Sequence, residues 1–318
     1  MYLTIAVIVS GCASYKAKYA DKTSPRTIQT NKELVHSFYL IGDAGNAEMG
    51  QTTPTLKYFQ EKLAKATKNA TTIFLGDNIY PYGIPNKNHK DRALAEHRLQ
   101  TQIDALQDFK GKTIFIPGNH DWYNGVNGLK RQEKMVEKAL GKNSFLPEGG
   151  CGLDKVKIND DLTLILIDSR WFIMNWDKEP KMNDNCDIKT RERFIQELSS
   201  LFKKNRYKNV VVAVHHPLYS NGPHGGSFSV KDHMKPAPIL GTLKNALRSH
   251  AGIQTDIFNK NYSDFINQIQ AVSDDFTDNV VFVSGHDHNL QYIEQDGFKQ
   301  VISGSGSKQS AALVHTNE

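Results

Sequence analysis

The chain has 318 residues, 39% of them hydrophobic and 23% charged, with a formal net charge of +5. That length and apolar content provide for one large domain or two small ones and exclude a wholly disordered chain. The mild basic excess suits acidic substrates, but there is no long Lys/Arg block and no basic stripe interleaved with aromatics, so no nucleic-acid partner is expected.

The first residues differ in character from the rest. Residues 3–9 form a short apolar run leading into Val9-Ser10-Gly11-Cys12. The run is at the lower limit for a signal-peptide core and no Lys or Arg precedes it. The tetrapeptide nevertheless resembles a bacterial lipobox, whose cysteine is lipidated and becomes the new N-terminus. The expectation is a lipoprotein-type signal over 1–11, a polar tether over 12–33 and a single domain over 34–318. A lipid anchor on Cys12 would associate the protein with a membrane of the cell envelope, facing the periplasm or the surface. No run of 18 or more apolar residues exists, so no membrane-spanning helix is predicted.

Beyond residue 34, short runs of Val, Ile, Leu and Phe repeatedly end in Gly, Asp, Asn or His. Residues 37–41 run into Gly42-Asp43, 71–75 into Gly76-Asp77-Asn78, and 113–116 into Pro117-Gly118-Asn119-His120-Asp121. Residues 162–167 end at Asp168-Ser169-Arg170, 210–214 at His215-His216, and 280–283 at Ser284-Gly285-His286-Asp287-His288. Continuous apolar runs of this length read as strands buried on both faces. Helical patterns lie between them at 54–67, 92–109 and 191–202, which predicts a layered α/β domain. Residues 217–276 read as a long excursion beside the strand ends, with helical segments near 239–249 and 262–272. In α/β sheets ligands gather beyond the strand ends, so the polar residues there form one candidate site. Asp168-Ser169-Arg170 is assigned to the core sheet without chemistry, and His216 to a structural role. Cys151 and Cys186 either pair as a disulfide, as an exported protein allows, or stay as two half-buried thiols.

A two-metal hydrolytic site needs oxygen and imidazole ligands around cations roughly 3.5–4 Å apart, with a carboxylate as the natural bridge. Asp43, Asp77, Asn119, His215, His286 and His288 all follow apolar runs, and the neighbouring Gly42, Gly45, Gly76, Gly118 and Gly285 let backbone turn tightly and approach closely. Five blocks stand in order: Gly42-Asp43-Ala44-Gly45, Gly76-Asp77-Asn78-Ile79-Tyr80, Gly118-Asn119-His120-Asp121, Val212-Ala213-Val214-His215 and Gly285-His286-Asp287-His288. They resemble the signature blocks of calcineurin-like metallophosphoesterases, and within that superfamily the purple acid phosphatase branch of the tartrate-resistant type.

The resemblance implies a sandwich of two mixed β-sheets flanked by helices, with the metals at one edge. It implies that Asp43, Tyr80 and His288 bind a first metal, that Asn119, His215 and His286 bind a second, and that Asp77 bridges them. Tyr80 decides the branch. A phenol ionises near pH 10 in water, so only a strongly Lewis-acidic cation holds it as phenolate near neutrality. The cofactors implied are therefore Fe(III) and a divalent Fe, Zn or Mn. The charge of that pair, reduced by Asp43, Asp77, phenolate and hydroxide, leaves a small positive excess suited to an anionic phosphate ester.

The implied reaction is in-line attack on phosphorus by a hydroxide held at the metals, most simply on a small-molecule phosphomonoester. His120 is the candidate for assisting the leaving oxygen, with Asp121 expected to orient it through the other ring nitrogen. His224, nine residues after His215, is the second candidate on the substrate side. The rivals are a phosphodiesterase or nucleotide-cleaving enzyme on the same centre, and a non-catalytic envelope-anchored binding protein of this fold. Ile302-Ser303-Gly304-Ser305-Gly306 resembles the family's last strand and turn, and the chain ends twelve residues later. The expectation is a shortened second sheet or a truncated C-terminus.

Overall fold

In the computed structural model, which describes residues 33–313, the apolar runs become strands that stop where the polar residues begin. The expected signal, Cys12 and residues 13–32 lie outside the described residues. Strands β1 (Ser37–Ile41), β2 (Ala70–Leu75) and β3 (Lys112–Ile116) form one sheet in that order, parallel throughout. The second sheet holds β4 (Leu153–Lys157), β5 (Leu162–Ile167), β6 (Asn209–Val214), β7 (Val280–Ser284), β8 (Leu290–Gln295) and β9 (Phe298–Ser303), in the order β4-β5-β6-β7-β9-β8. Its β5, β6, β7 and β9 run parallel, while the edge strands β4 and β8 pair antiparallel. The expected two-sheet α/β architecture is present, with the larger sheet mixed.

Side-chain alternation along each strand explains the layers. Ile73 and Leu75 of β2, Ile114 and Ile116 of β3, Leu164 and Leu166 of β5, and Ala213 of β6 share one buried cluster. Their neighbours one residue away, Phe74, Phe115, Ile165, Ile167, Val212 and Val214, belong to a second cluster with helix residues such as Leu56, Leu99, Leu129 and Phe194. One face of each strand thus meets other strands and the opposite face meets helices. Phe74 and Phe115 stack with ring centroids 4.0 Å apart on the helix side.

The helices are α1 (Pro54–Leu63), α2 (Arg92–Asp104), α3 (Gly125–Leu140), α4 (Ser169–Ile173), α5 (Arg191–Lys204), α6 (Val230–His233), α7 (Pro238–Ala251) and α8 (Lys260–Ser273). α1 begins where Thr53 caps it, accepting from the Leu56 amide, with Pro54 in the first turn. α5 is capped the same way by Thr190. α2 stops at Asp104 rather than 109, and turns carry the chain to β3. α3 and the edge strands β4 and β8 are absent from the sequence reading. In α3, Val126, Leu129 and Val136 do face the core, but Gly125, Gly128 and a run of charged residues weaken the periodicity. β4 and β8 are half-exposed edges without a continuous apolar run.

The two cysteines are paired: Cys151 and Cys186 form a disulfide with S–S 2.06 Å, across a sequence separation of 35. It fastens the segment before β4 to the one between α4 and α5. Closing a loop of that size restricts the unfolded chain, an effect worth roughly 3–4 kcal/mol by chain entropy. Cys151→Ala/Cys186→Ala is expected to lose about that much in denaturant unfolding. A double variant as stable as the parent would show that the loop is held by its packing alone.

Candidate metal centre

The parallel strands deliver their C-terminal ends to one place. Asp43 follows β1 after Gly42, Asp77 follows β2 after Gly76, His215 follows β6 directly, and His286 follows β7 after Gly285. The turns are tied across the sheets: the Asp43 amide donates to Gly76 O at 2.9 Å, Gly42 N to Ser303 O at 2.7 Å, and Gly285 N to His215 O at 3.1 Å. Asp43, Asp77 and His286 adopt left-handed backbone, with φ of 59°, 52° and 71°. Such conformations cost about 1–3 kcal/mol each and persist where surrounding structure holds them. Glycine is required at two approaches. A Cβ on Gly118 would lie 2.3 Å from Asp77 Oδ1, and one on Gly285 would lie 2.7 Å from Asp43 Oδ2.

Asp43, Tyr80 and His288 meet on one side. The Tyr80 hydroxyl donates to Asp43 Oδ1 at 2.8 Å and lies 3.1 Å from His288 Nε2, which is 3.5 Å from Asp43 Oδ1. Burial pushes the Tyr80 phenol well above 10, and the charges of Asp43 and Asp77 push it further. It is a phenol here, and only a cation would draw off its proton. Burial pulls the His288 pKa down, but the hydrogen bond and charge of Asp43 outweigh it and the net shift is upward.

Asn119, His215 and His286 meet on the other side. His215 Nδ1 is 2.7 Å from the Leu75 carbonyl and His286 Nε2 is 2.7 Å from the Thr255 carbonyl, so each of these nitrogens donates. The opposite nitrogens, His215 Nε2 and His286 Nδ1, face one another at 3.2 Å, and Asn119 Oδ1 lies 3.2 Å from His215 Nε2. The Asn119 amide nitrogen is turned away to donate to the Tyr123 hydroxyl at 2.8 Å. Burial, then the neighbouring His224, His216 and His215, hold His286 well below its ordinary pKa, which keeps it neutral. Two imidazole nitrogens and an amide oxygen thus point at the same space.

Asp77 stands between the two groups. Its Oδ1 is 3.4 Å from His215 Nε2 and accepts the His120 amide at 2.9 Å. Asp43, Asp77 and His215 offer ligand atoms within 4.8 Å of one another. Burial tends to raise the Asp77 pKa, but His215 and His120 outweigh it, and the carboxylate stays ionised. Converging carboxylates, imidazole lone pairs and an amide oxygen are a donor set for metal cations, and these residues fit a metal centre of mixed oxygen and nitrogen ligands.

The family model for calcineurin-like phosphoesterases matches residues 36–304. The chain belongs to the calcineurin-like phosphoesterase family. It is 22% identical over 251 residues to mouse tartrate-resistant acid phosphatase type 5, and 22% identical over 254 residues to the human protein. Each alignment covers 76% of this chain but only 62% and 63% of those relatives' length. Among solved structures, a dimetal phosphatase from Danio rerio superposes with a TM-score of 0.50 at 12% identity, covering 87% of this chain and 91% of that one. GAP50, the anchor in the inner membrane complex of Plasmodium, superposes at 0.53 with 17% identity over 88% and 75% of the two chains. These two likenesses concern the fold.

The remaining predicted residues are placed as follows. His120 lies on the Asp77 side, with Nδ1 donating to the Pro81 carbonyl at 2.6 Å and Nε2 3.8 Å from Asp77 Oδ2. Asp121 does not orient it, contrary to the sequence reading. Asp121 is buried and accepts from Gly118 N at 2.8 Å, Asn78 N at 3.2 Å, Asn78 Nδ2 at 3.1 Å and Ile79 N at 3.1 Å, so it braces the loops carrying Asp77 and Asn119. Burial, followed by the charge of Asp77, pushes its pKa up to about 8 against those donors. His224 stacks on His286 with centroids 4.0 Å apart, and its Nδ1 lies 2.9 Å from Asp256 Oδ1, which Arg248 also grips. His216 is fully buried, takes up Ser169 Oγ at 2.7 Å through Nδ1, and packs against His286 at 4.4 Å.

Sequence reasoning missed Asp256, Arg248, Tyr123 and Arg170, which brace or border the site. Asp168 caps α4 and accepts from Trp122 Nε1 at 2.7 Å. Arg170 is buried with its guanidinium over the Tyr123 ring, 5.7 Å from the centroid. Arg170 was signalled by the polar end of β5, but Asp168-Ser169-Arg170 caps and opens α4 and does not belong to the sheet as expected; Arg248 and Asp256 lie within the 217–276 excursion. Asp121→Ala, which leaves several buried N–H groups without an acceptor, is expected to lower folding stability by about 3 kcal/mol. Denaturant unfolding of the metal-free protein reads this directly, and an unchanged midpoint would show that the two loops hold without the carboxylate.

Proposed function

We propose that this chain is a metal-dependent phosphomonoesterase of the acid phosphatase type, acting on small phosphorylated molecules through a dinuclear centre of Fe(III) and a divalent Fe, Zn or Mn. The observation that carries the reading is the convergence of ligand atoms around Asp77: carboxylate oxygens, two imidazole nitrogens and an amide oxygen directed at one space. The similarity to tartrate-resistant acid phosphatases supports the monoesterase assignment. Tyr80, buried against Asp43, supports a ferric site, since loss of its proton requires a strongly Lewis-acidic neighbour.

Asp43, Tyr80 and His288 would hold one metal, Asn119, His215 and His286 the other, and Asp77 both. When bound, the metals supply Lewis acidity that neutralises phosphoryl charge and lowers the pKa of water. Asp43 orients the phenol, and the Leu75 and Thr255 carbonyls fix the tautomers that turn His215 Nε2 and His286 Nδ1 inward. His120, with Nδ1 fixed by Pro81, presents Nε2 beside Asp77, where its doubly protonated form can hand a proton to the departing oxygen; burial lowers its pKa, so that form gains population toward acid pH. His224, stacked on His286 and backed by Asp256, is the second candidate for contact with the phosphoryl group. Lipidation at Cys12 would hold this activity at the cell envelope.

Metal analysis and a visible spectrum test the centre. About two metals per chain, iron among them, are expected, with a visible band that Tyr80→Phe abolishes. Two metals without colour would keep the phosphoesterase and remove the ferric phenolate. No metal after reconstitution would defeat the reading. His120→Ala is expected to lower kcat on monoesters about 100-fold with metal content unchanged. Wild-type turnover in that variant would remove His120 from the chemistry, and preferential cleavage of diesters in a substrate panel would overturn the monoesterase assignment.

A further inference from the structure

One cation at the centre has no part in the ligand set. Lys308 follows the Gly304-Ser305-Gly306-Ser307 turn beyond β9, and its Nζ lies 3.3 Å from the centroid of the Tyr80 ring. The backbone around it is fastened to the loops of two predicted ligands. On the near side Gly306 N donates to Gly42 O at 3.0 Å and Ser307 Oγ donates to Asp43 O. On the far side Ser310 N donates to His288 O at 2.7 Å. Thr53 Oγ1, the cap of α1, donates to Gly306 O at 3.3 Å and holds the turn from outside. The lysine is therefore held against the Tyr80 side of the centre by its main chain and does not reach it by chance from a free tail.

Its charge is set among acids without being consumed by one. Lys308 is half-buried and forms no ion pair among the described residues, although Asp77 and Asp43 are the negative groups whose fields it feels. Those two carboxylates are already engaged, Asp43 by Tyr80 and the His286 amide, Asp77 by the His120 amide and His215. The ammonium instead rests on the face of an aromatic ring, which attracts a cation without using up its N–H donors. The predicted ligands present carboxylate, amide and imidazole atoms inward, together with the Tyr80 hydroxyl that Asp43 already engages. A tetrahedral oxyanion bound there has more oxygens than the acceptor-rich ring can engage through metals alone, and a partly desolvated ammonium is the complementary donor.

We propose that Lys308 is a phosphate-binding residue of this centre, donating to a non-bridging oxygen of the phosphoryl group across the face of Tyr80. The assignment rests on the phosphoesterase reading above. It makes the turn after β9 part of the substrate site and gives the centre a fixed positive group besides its metals.

Titration calorimetry with inorganic phosphate on the metal-loaded full chain tests it, alongside metal analysis of each variant. Lys308→Met is expected to keep the wild-type metal content and to bind phosphate roughly ten-fold more weakly or worse, with KM for a monoester rising in step. Lys308→Arg, which keeps the charge, is expected to recover most of the affinity. Lys308→Gln serves the same comparison should the methionine variant not fold. Wild type and Lys308→Met that bind phosphate equally would overturn the Lys308 assignment alone and leave the lysine as a counter-charge to Asp43 and Asp77. A wild-type protein that holds metal but neither binds phosphate nor cleaves esters would overturn the phosphoesterase reading beneath it.

Discussion

Acceptors crowd the end of this molecule. Asp43, Asp77, Asn119 Oδ1, His215 Nε2 and His286 Nδ1 are brought to one place by the ends of parallel strands, and buried polar groups of one kind repel unless something positive or proton-bearing lies between them. The fold tolerates the arrangement because each group is held from behind. Asp43 accepts the His286 amide, Asp77 accepts the His120 amide, and the two imidazoles donate outward to carbonyls. The left-handed backbone at Asp43, Asp77 and His286, and glycines where a Cβ would collide, belong to the same constraint: side chains from different strands can converge only if the main chain turns sharply behind them.

The two-sheet core makes that convergence rigid. The central strands β2, β3, β5 and β6 bury one face against other strands and the opposite face against helices, so their ends cannot slide without breaking two packed layers. Asp121 acts as a buried knot between the loops after β2 and β3. The excursion from 217 to 276 contributes from outside the sheets: Thr255 fixes His286, and Asp256 fixes His224 with the help of Arg248. Ligand groups that converge on one space need this stiffness to keep their mutual geometry.

How far the sequence reads depends on what kind of contact is asked about. The strands β2, β5, β6 and β7 were legible because burial on both faces leaves a largely apolar run. β4 and β8 were not, because an exposed edge strand mixes polar residues into its pattern. Helix α3 was hidden by two glycines in its first turn. The role given to Asp121 was wrong because the chain neighbour of His120 is not its neighbour in space: the imidazole turns to Pro81, and the carboxylate turns inward to amides.

The sequence by itself determined which side chains stand at the strand ends, and hence the α/β class, the candidate ligands and the family resemblance, because those follow from local apolar periodicity and residue type. Only the tertiary structure decided which nitrogen of each histidine faces the centre, that Cys151 and Cys186 join, that His224 lies against His286, and that Lys308 rests on Tyr80. The physical reason is that these depend on backbone carbonyls, ring faces and distances between segments far apart in the chain. Every residue carries a carbonyl, so no residue letter marks the one that will fix a tautomer.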